Sequence, residues 1–190
     1  MIRTVRNRVL QTVLQVPGQS GKGRRPFFQV IIDLTTLEKR GKFKDFEDLI
    51  SVYNGKRGLH LVVVYFVVGR WRIPWSFRVW RGKGTPSPAQ LGLKLVKRLP
   101  KSLTEHFQVI ILADTANGCV EFLHGVRKLK FHAVTGVAID RKLLDGRVLR
   151  HLHKQGQQVR LVGREVSCYR LLVLSQARQG KAREAFRFVY

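Results

Sequence analysis

Two aspartates close two apolar runs of the same make. Phe27-Phe28-Gln29-Val30-Ile31-Ile32 leads into Asp33, and Phe107-Gln108-Val109-Ile110-Ile111-Leu112-Ala113 leads into Asp114. A run of bulky aromatic and β-branched residues that stops at turn-forming polar residues reads as a strand buried on both faces. A carboxylate at the end of such a strand stands at the rim of a sheet, where α/β folds bind ligands and metals. Two of them on neighbouring strands can share divalent cations. A pair of Mg2+ ions suits in-line displacement at phosphorus, one activating the attacking oxygen and the other neutralising the leaving oxygen. Residue types alone leave a second reading equally open: Asp33 starts a turn, and Asp114 caps a helix that begins near Gly118.

The charge says what such a pair would act on. The 190 residues carry 36 Lys and Arg against 12 Asp and Glu, a net charge of +24, with a pI near 11.3. That excess implies a polyanionic partner, and nucleic acid is the usual one. From Ser51 to Thr104 there is no acidic residue, while eleven Lys and Arg occur, among them Lys56, Arg57, Arg78, Arg81 and Lys83. These five are the expected contacts to phosphate. The plainer alternative is a solvated basic face that only keeps the chain in solution. A hydrophobic content of 44% argues against a disordered basic tail.

Other chemistry finds little support. Cys119 and Cys168 form no CxxC pair and read as reduced thiols of a cytosolic protein. His151 and His153 are a close pair without further ligands nearby. Leu61 to Val68 is too short to span a bilayer, and no secretory signal is visible between Met1 and Gln15. The expectation is a soluble, cytoplasmic protein that needs no membrane.

The elements that would position the two aspartates follow from periodicity. Val5, Val9, Leu10, Val13 and Leu14 predict an amphipathic helix over residues 3 to 15, and Gly18 to Pro26 reads as a basic linker. A strand is expected at about 27 to 33, then loop with a short helix near 45 to 52. Leu59 to Val68 predicts a buried strand, and Gly69-Arg70 a two-residue hairpin turn. Trp71 to Val79 predicts the return strand, which Pro74 confines to a sheet edge. Thr85-Pro86-Ser87-Pro88 starts a helix with Leu91, Leu95 and Leu99 as its buried stripe. The Asp114 strand, a helix at about 118 to 130 and a strand over 131 to 139 come next. Residues 157 to 162, 166 to 174 and 185 to 189 complete a β-rich tail.

Three strands, then helix, strand, helix, strand is the order of the ribonuclease-H-like fold, an α/β mixed sheet of order 3-2-1-4-5 with flanking helices. It puts the strands of Asp33 and Asp114 side by side. The expected division is an N-terminal helix and linker over 1–25, a catalytic core over 26–156 and a β-rich insertion over 157–190.

The wording of the motifs adds a family. Ile31-Ile32-Asp33-Leu34-Thr35-Thr36-Leu37-Glu38-Lys39-Arg40-Gly41-Lys42 and Val109-Ile110-Ile111-Leu112-Ala113-Asp114-Thr115-Ala116 resemble the first two acidic motifs of DDE transposases from bacterial insertion sequences. Asn54-Gly55-Lys56-Arg57-Gly58-Leu59-His60 and Trp80-Arg81-Gly82-Lys83-Gly84 are similar to that family's linking segments. The resemblance runs from about Arg24 to Arg160. It implies that Asp33 and Asp114 are catalytic and bind Mg2+ or Mn2+, and that the substrates are transposon ends and target DNA. It further implies a nucleoid-associated prokaryotic protein, with a homodimer in the full-length family.

The family's third carboxylate is a glutamate on a late helix in a tyrosine–arginine–glutamate pattern, which this chain lacks. After Asp145 the acidic residues are Glu165 and Glu184, both in segments read as strand or turn. The expectation is a fragment that stops inside the insertion, binds DNA and is inactive alone. A small nuclease of the same fold, or a basic nucleic-acid-binding protein, is the alternative.

Overall fold

The computed structural model describes residues 2–15, 25–38, 41, 45–161, 167–176 and 184–189. They fall into two compact units, Met1–Ile111 and Leu112–Tyr190. Helices and strands of both directions combine into a mixed α/β architecture.

The first unit begins with helix α1, Ile2–Gln15, whose Val13 is fully buried. Strand β1 spans Phe27–Glu38, with Phe28, Val30 and Ile32 buried on one face. It does not stop at Asp33 as expected. Thr35 and Thr36 are strand formers, and the ladder continues to the pairing of Glu38 with Gly58. Asp33 therefore stands midway along the strand.

The expected helix near 45 to 52 is replaced by one 3-10 turn, Glu47–Leu49, followed by strand β2, Ser51–Tyr53. The reason is Asn54-Gly55, whose φ values of 50° and 75° make the two-residue turn that right-twisted hairpins favour. It folds β2 back on strand β3, Lys56–Val68. Gly69, at φ 56°, turns the chain into strand β4, Trp71–Trp80.

In this unit's sheet the order is β2-β3-β1 followed by strand β5, Gln108–Ala113, with β4 paired to β3. β1 covers one edge of β3, and β2 and β4 share the other. Among the described residues β4 pairs with β3 alone, which suits Pro74. The register skips Trp75 beside Pro74, a bulge opposite Val64 and Tyr65.

Helix α2, Pro88–Val96, starts at a capping box made by Ser87 and Gln90 with proline in its first turn. It packs against β3 and β4 with Leu91 and Leu95 buried. A short helix α3, Lys101–His106, leads to β5. Phe28 meets Phe66 at 5.3 Å and Phe107 at 5.2 Å between ring centroids, in the middle of this unit's core.

In the second unit a 3-10 turn, Thr115–Asn117, precedes helix α4, Val120–Lys128, and strand β6, His132–Gly136. Strands β7, Gln158–Leu161, β8, Ser167–Gln176, and β9, Glu184–Val189, follow. β7 pairs with β8, β8 with β9, and β9 with β6, all antiparallel. The core combines Val120 and Leu123 of α4 with Leu143, Leu149, Val159 and Leu161. Among the described residues no helix is long and apolar enough to cross a membrane.

Candidate metal and nucleic-acid sites

Asp33 is half-buried. It pairs with Val63, and Val63 pairs with Phe77, so the three side chains form one row on one face of the sheet. Phe28, Val30 and Ile32 lie on the opposite face. Within β1 the Asp33 side chain has one hydrogen bond: Thr35 Oγ1 donates to its Oδ2 at 3.1 Å. Oδ1 has no protein partner among the described residues.

Close to Asp33 in sequence is a polar cluster that the residue pattern does not single out. His60 is fully buried. Its Nε2 lies 3.0 Å from the Ser51 carbonyl, which can only accept, and its Nδ1 lies 2.9 Å from Thr36 Oγ1. Nε2 therefore carries the proton. Tyr53 and Trp80 close around the ring at 5.9 and 5.6 Å between centroids. The signal for this cluster lies in Asn54-Gly55, because only that hairpin brings Ser51 and Tyr53 back to His60.

Asp114 is exposed and tightly engaged. Its Oδ1 accepts from Ala116 N at 3.1 Å and from Asn117 Nδ2 at 2.9 Å, which caps the 3-10 turn rather than α4 itself. Thr135 Oγ1 donates to the Asp114 carbonyl at 2.9 Å. Glycines let the loop sit this close to β6: a Cβ on Gly118 would strike the Gly136 carbonyl oxygen, and one on Gly136 would strike Thr115. Oδ2 of Asp114 has no protein partner among the described residues.

Each aspartate thus keeps one carboxylate oxygen available. Mg2+ is a hard cation held by one or two carboxylates, with water and substrate phosphates completing its octahedron, so the donors fit. Among the described residues no three His, Cys, Asp or Glu side chains gather as a metal-binding group. Glu165 lies outside the described residues. Glu184 opens β9, where its partner in the ladder is Gln176.

Four of the five basic residues fall into two places. Lys56 and Arg57 follow the β2–β3 turn. Lys56 pairs with Glu38 at 2.6 Å, and Arg57 donates to the Gly41 carbonyl at 3.0 Å. Arg78 and Arg81 line a groove of about 770 Å3 between β4 and α2, together with Arg6, Lys94 and Arg98. Arg81 approaches Asp48 at 4.0 Å. The Arg78 Nε is buried without a hydrogen-bond partner among the described residues. Lys83 is exposed and does not line the groove. Arg6 joins from α1, where its Nη2 donates to the Trp75 carbonyl at 2.9 Å. No local pattern could announce an approach across that many residues.

No family model matches the chain, and no curated protein matches it. Among solved structures it is similar to a cryo-EM structure of the piggyBac transposase synaptic complex with hairpin DNA, at TM-score 0.46 and 13% identity. The likeness covers 85% of this chain, which spans about a third of that chain's length (32%).

Proposed function

We propose that this chain is a DNA-binding domain of ribonuclease-H-like fold, with the order 3-2-1-4-5 counted over the five strands expected from sequence, related to the DDE transposases of bacterial insertion sequences. Asp33 and Asp114 would be ligands of Mg2+ or Mn2+. The observation that carries this reading is that both aspartates keep a carboxylate oxygen unclaimed by protein among the described residues, on a chain of net charge +24.

A bound divalent ion would supply activation of an attacking oxygen and neutralisation of a leaving oxygen at a phosphodiester. The chain's own residues do the positioning. The Thr35 hydroxyl fixes one oxygen of Asp33 and leaves the other for the ion. The Ala116 N–H and the Asn117 amide fix Oδ1 of Asp114, while Thr135 anchors its backbone. The basic side chains draw the phosphate backbone in. With no third carboxylate gathered at them among the described residues, a second ion would be poorly held, and a misplacement of about 1 Å already costs roughly 10²-fold in rate. The chain by itself therefore neither nicks nor joins DNA. Transposon ends, target DNA, the homodimer and the nucleoid belong to the same reading.

A metal-free nucleic-acid-binding module is the second reading, favoured by the engagement of Asp114 as a cap. Binding to duplex DNA across 50 to 200 mM salt tests what the two share. Affinity should fall on the order of 10³-fold for about six phosphates neutralised. A salt-independent affinity would overturn both readings, and no affinity for duplex DNA would overturn the first. Incubation with Mn2+ and DNA carrying insertion-sequence ends should give no product. Turnover abolished by Glu184→Ala would identify Glu184 as the third ligand and contradict inactivity.

A further inference from the structure

The edge of β4 that no strand pairs among the described residues is flanked by two different hollows. On one side lies the basic groove, with Arg6, Arg78, Arg81, Lys94 and Arg98 and no acidic residue among the described residues of its lining. On the other lies an apolar hollow of about 480 Å3 formed by Val5, Val63, Pro74 and Phe77. Arg6, Trp75, Ser76 and Phe77 line both, so the two meet along the strand edge. Phe77 is 62% exposed, unusual for a phenylalanine in a strand beside a buried valine. The Arg6 guanidinium stands 5.2 Å from the Trp75 ring centroid.

We propose that the β4 edge binds an unpaired nucleic-acid strand, with its phosphates in the basic groove and a base against Phe77 in the apolar hollow. This deepens the DNA-binding reading, on which it rests, by naming the form of DNA this edge takes. Cations beside aromatic faces are the combination that single strands need, since every base offers a ring to stack while its phosphates need charge. A base within a duplex has both faces occupied by its neighbours and cannot enter the hollow. The buried Nε of Arg78 is a donor already withdrawn from water, and a phosphate oxygen is the acceptor that would satisfy it. Phe77 also shares its row with Val63 and Asp33. A strand held there lies two strand spacings, roughly 10 Å, from the Asp33 carboxylate.

The test is fluorescence anisotropy of the full chain in EDTA, so that failure of the metal reading leaves the result untouched. The probes are a blunt duplex and the same duplex with a six-thymidine overhang. The overhang should bind about 5- to 150-fold tighter, the range for stacking one base. Phe77→Ala should erase that advantage and leave the blunt duplex unchanged. Lys94→Gln with Arg98→Gln, both exposed and safe for folding, should lower the salt slope for the overhang probe by about 0.7 for each phosphate no longer neutralised. Equal binding of the two probes would overturn the proposal. An overhang advantage that survives Phe77→Ala, or an unchanged salt slope in the Lys94/Arg98 variant, would overturn it too.

Discussion

In the first unit Asp33 stands midway along a twelve-residue strand, held among the described residues by a single hydroxyl. In the second unit Asp114 closes a turn whose N–H, side-chain amide and neighbouring glycines are all built around it. The difference bears on why each aspartate is there. A cap explains Asp114 whether or not it ever meets a metal. Among the described residues nothing comparable explains Asp33, because aspartate is among the poorest strand residues and its one partner there, Thr35, lies two positions away. Asp33 accordingly carries more of the functional reading, and Asp114 is a residue whose structural duty leaves one oxygen over.

The largest expected effect tests how rigid the Asp114 loop is. Gly118→Ala should destabilise by about 3 kcal/mol, the upper range for forcing an atom into filled space, because the new methyl meets a backbone carbonyl that cannot turn aside. Denaturant unfolding followed by circular dichroism reads this. A variant as stable as the parent would mean the loop is loose and Asp114 is no more fixed than Asp33.

On the Asp33 side the rigid point is His60. His60→Ala strands the Thr36 hydroxyl and the Ser51 carbonyl and should cost about 2 kcal/mol or more, seen as an earlier unfolding midpoint in tryptophan fluorescence. An unchanged midpoint would remove the claim that this cluster secures β1 beyond Asp33. Asp114→Ala should cost about 1 kcal/mol, the usual value of a lost cap, whereas Asp33→Val should stabilise by up to about 1 kcal/mol. Opposite signs would set the two aspartates apart despite their similar motifs, and equal losses would make them alike.

Much of this is legible in the strings of residues themselves. The apolar runs mark the strands, Gly69-Arg70 the hairpin, and Ser87-Pro88 the start of α2, because each depends on local pattern and turn chemistry. The end of β1 is not legible from the first polar residue, since pairing with β3 carries Thr35 and Thr36 onward. Asn54-Gly55 is a hairpin signal that the surrounding charges disguise as loop. Arg6 and the groove are beyond the reach of sequence, since they exist only once α1 and α2 are folded beside β4.

The smallest effect concerns Asp145, an exposed aspartate engaged wholly by its neighbour. The Arg147 side chain donates to it at 2.8 Å, and chiefly through that bond its carboxyl is held below the ordinary carboxylate value. A depressed pKa contributes stability that is complete above the unfolded value and fades as pH falls through the folded one. A carbon-13 titration should therefore show Asp145 titrating low, and Arg147→Gln should return it upward. No movement in that variant would mean the pair does not persist in solution.

Everything proposed for the two aspartates turns on whether both are ligands of a divalent cation. Mn2+ binding followed by electron paramagnetic resonance, with duplex DNA present, answers that. The expected result is saturable binding in the parent chain that is lost in Asp33→Asn and equally lost in Asp114→Asn, while DNA affinity in EDTA stays the same. Mn2+ binding that survives either substitution, or is missing from the parent, would contradict it.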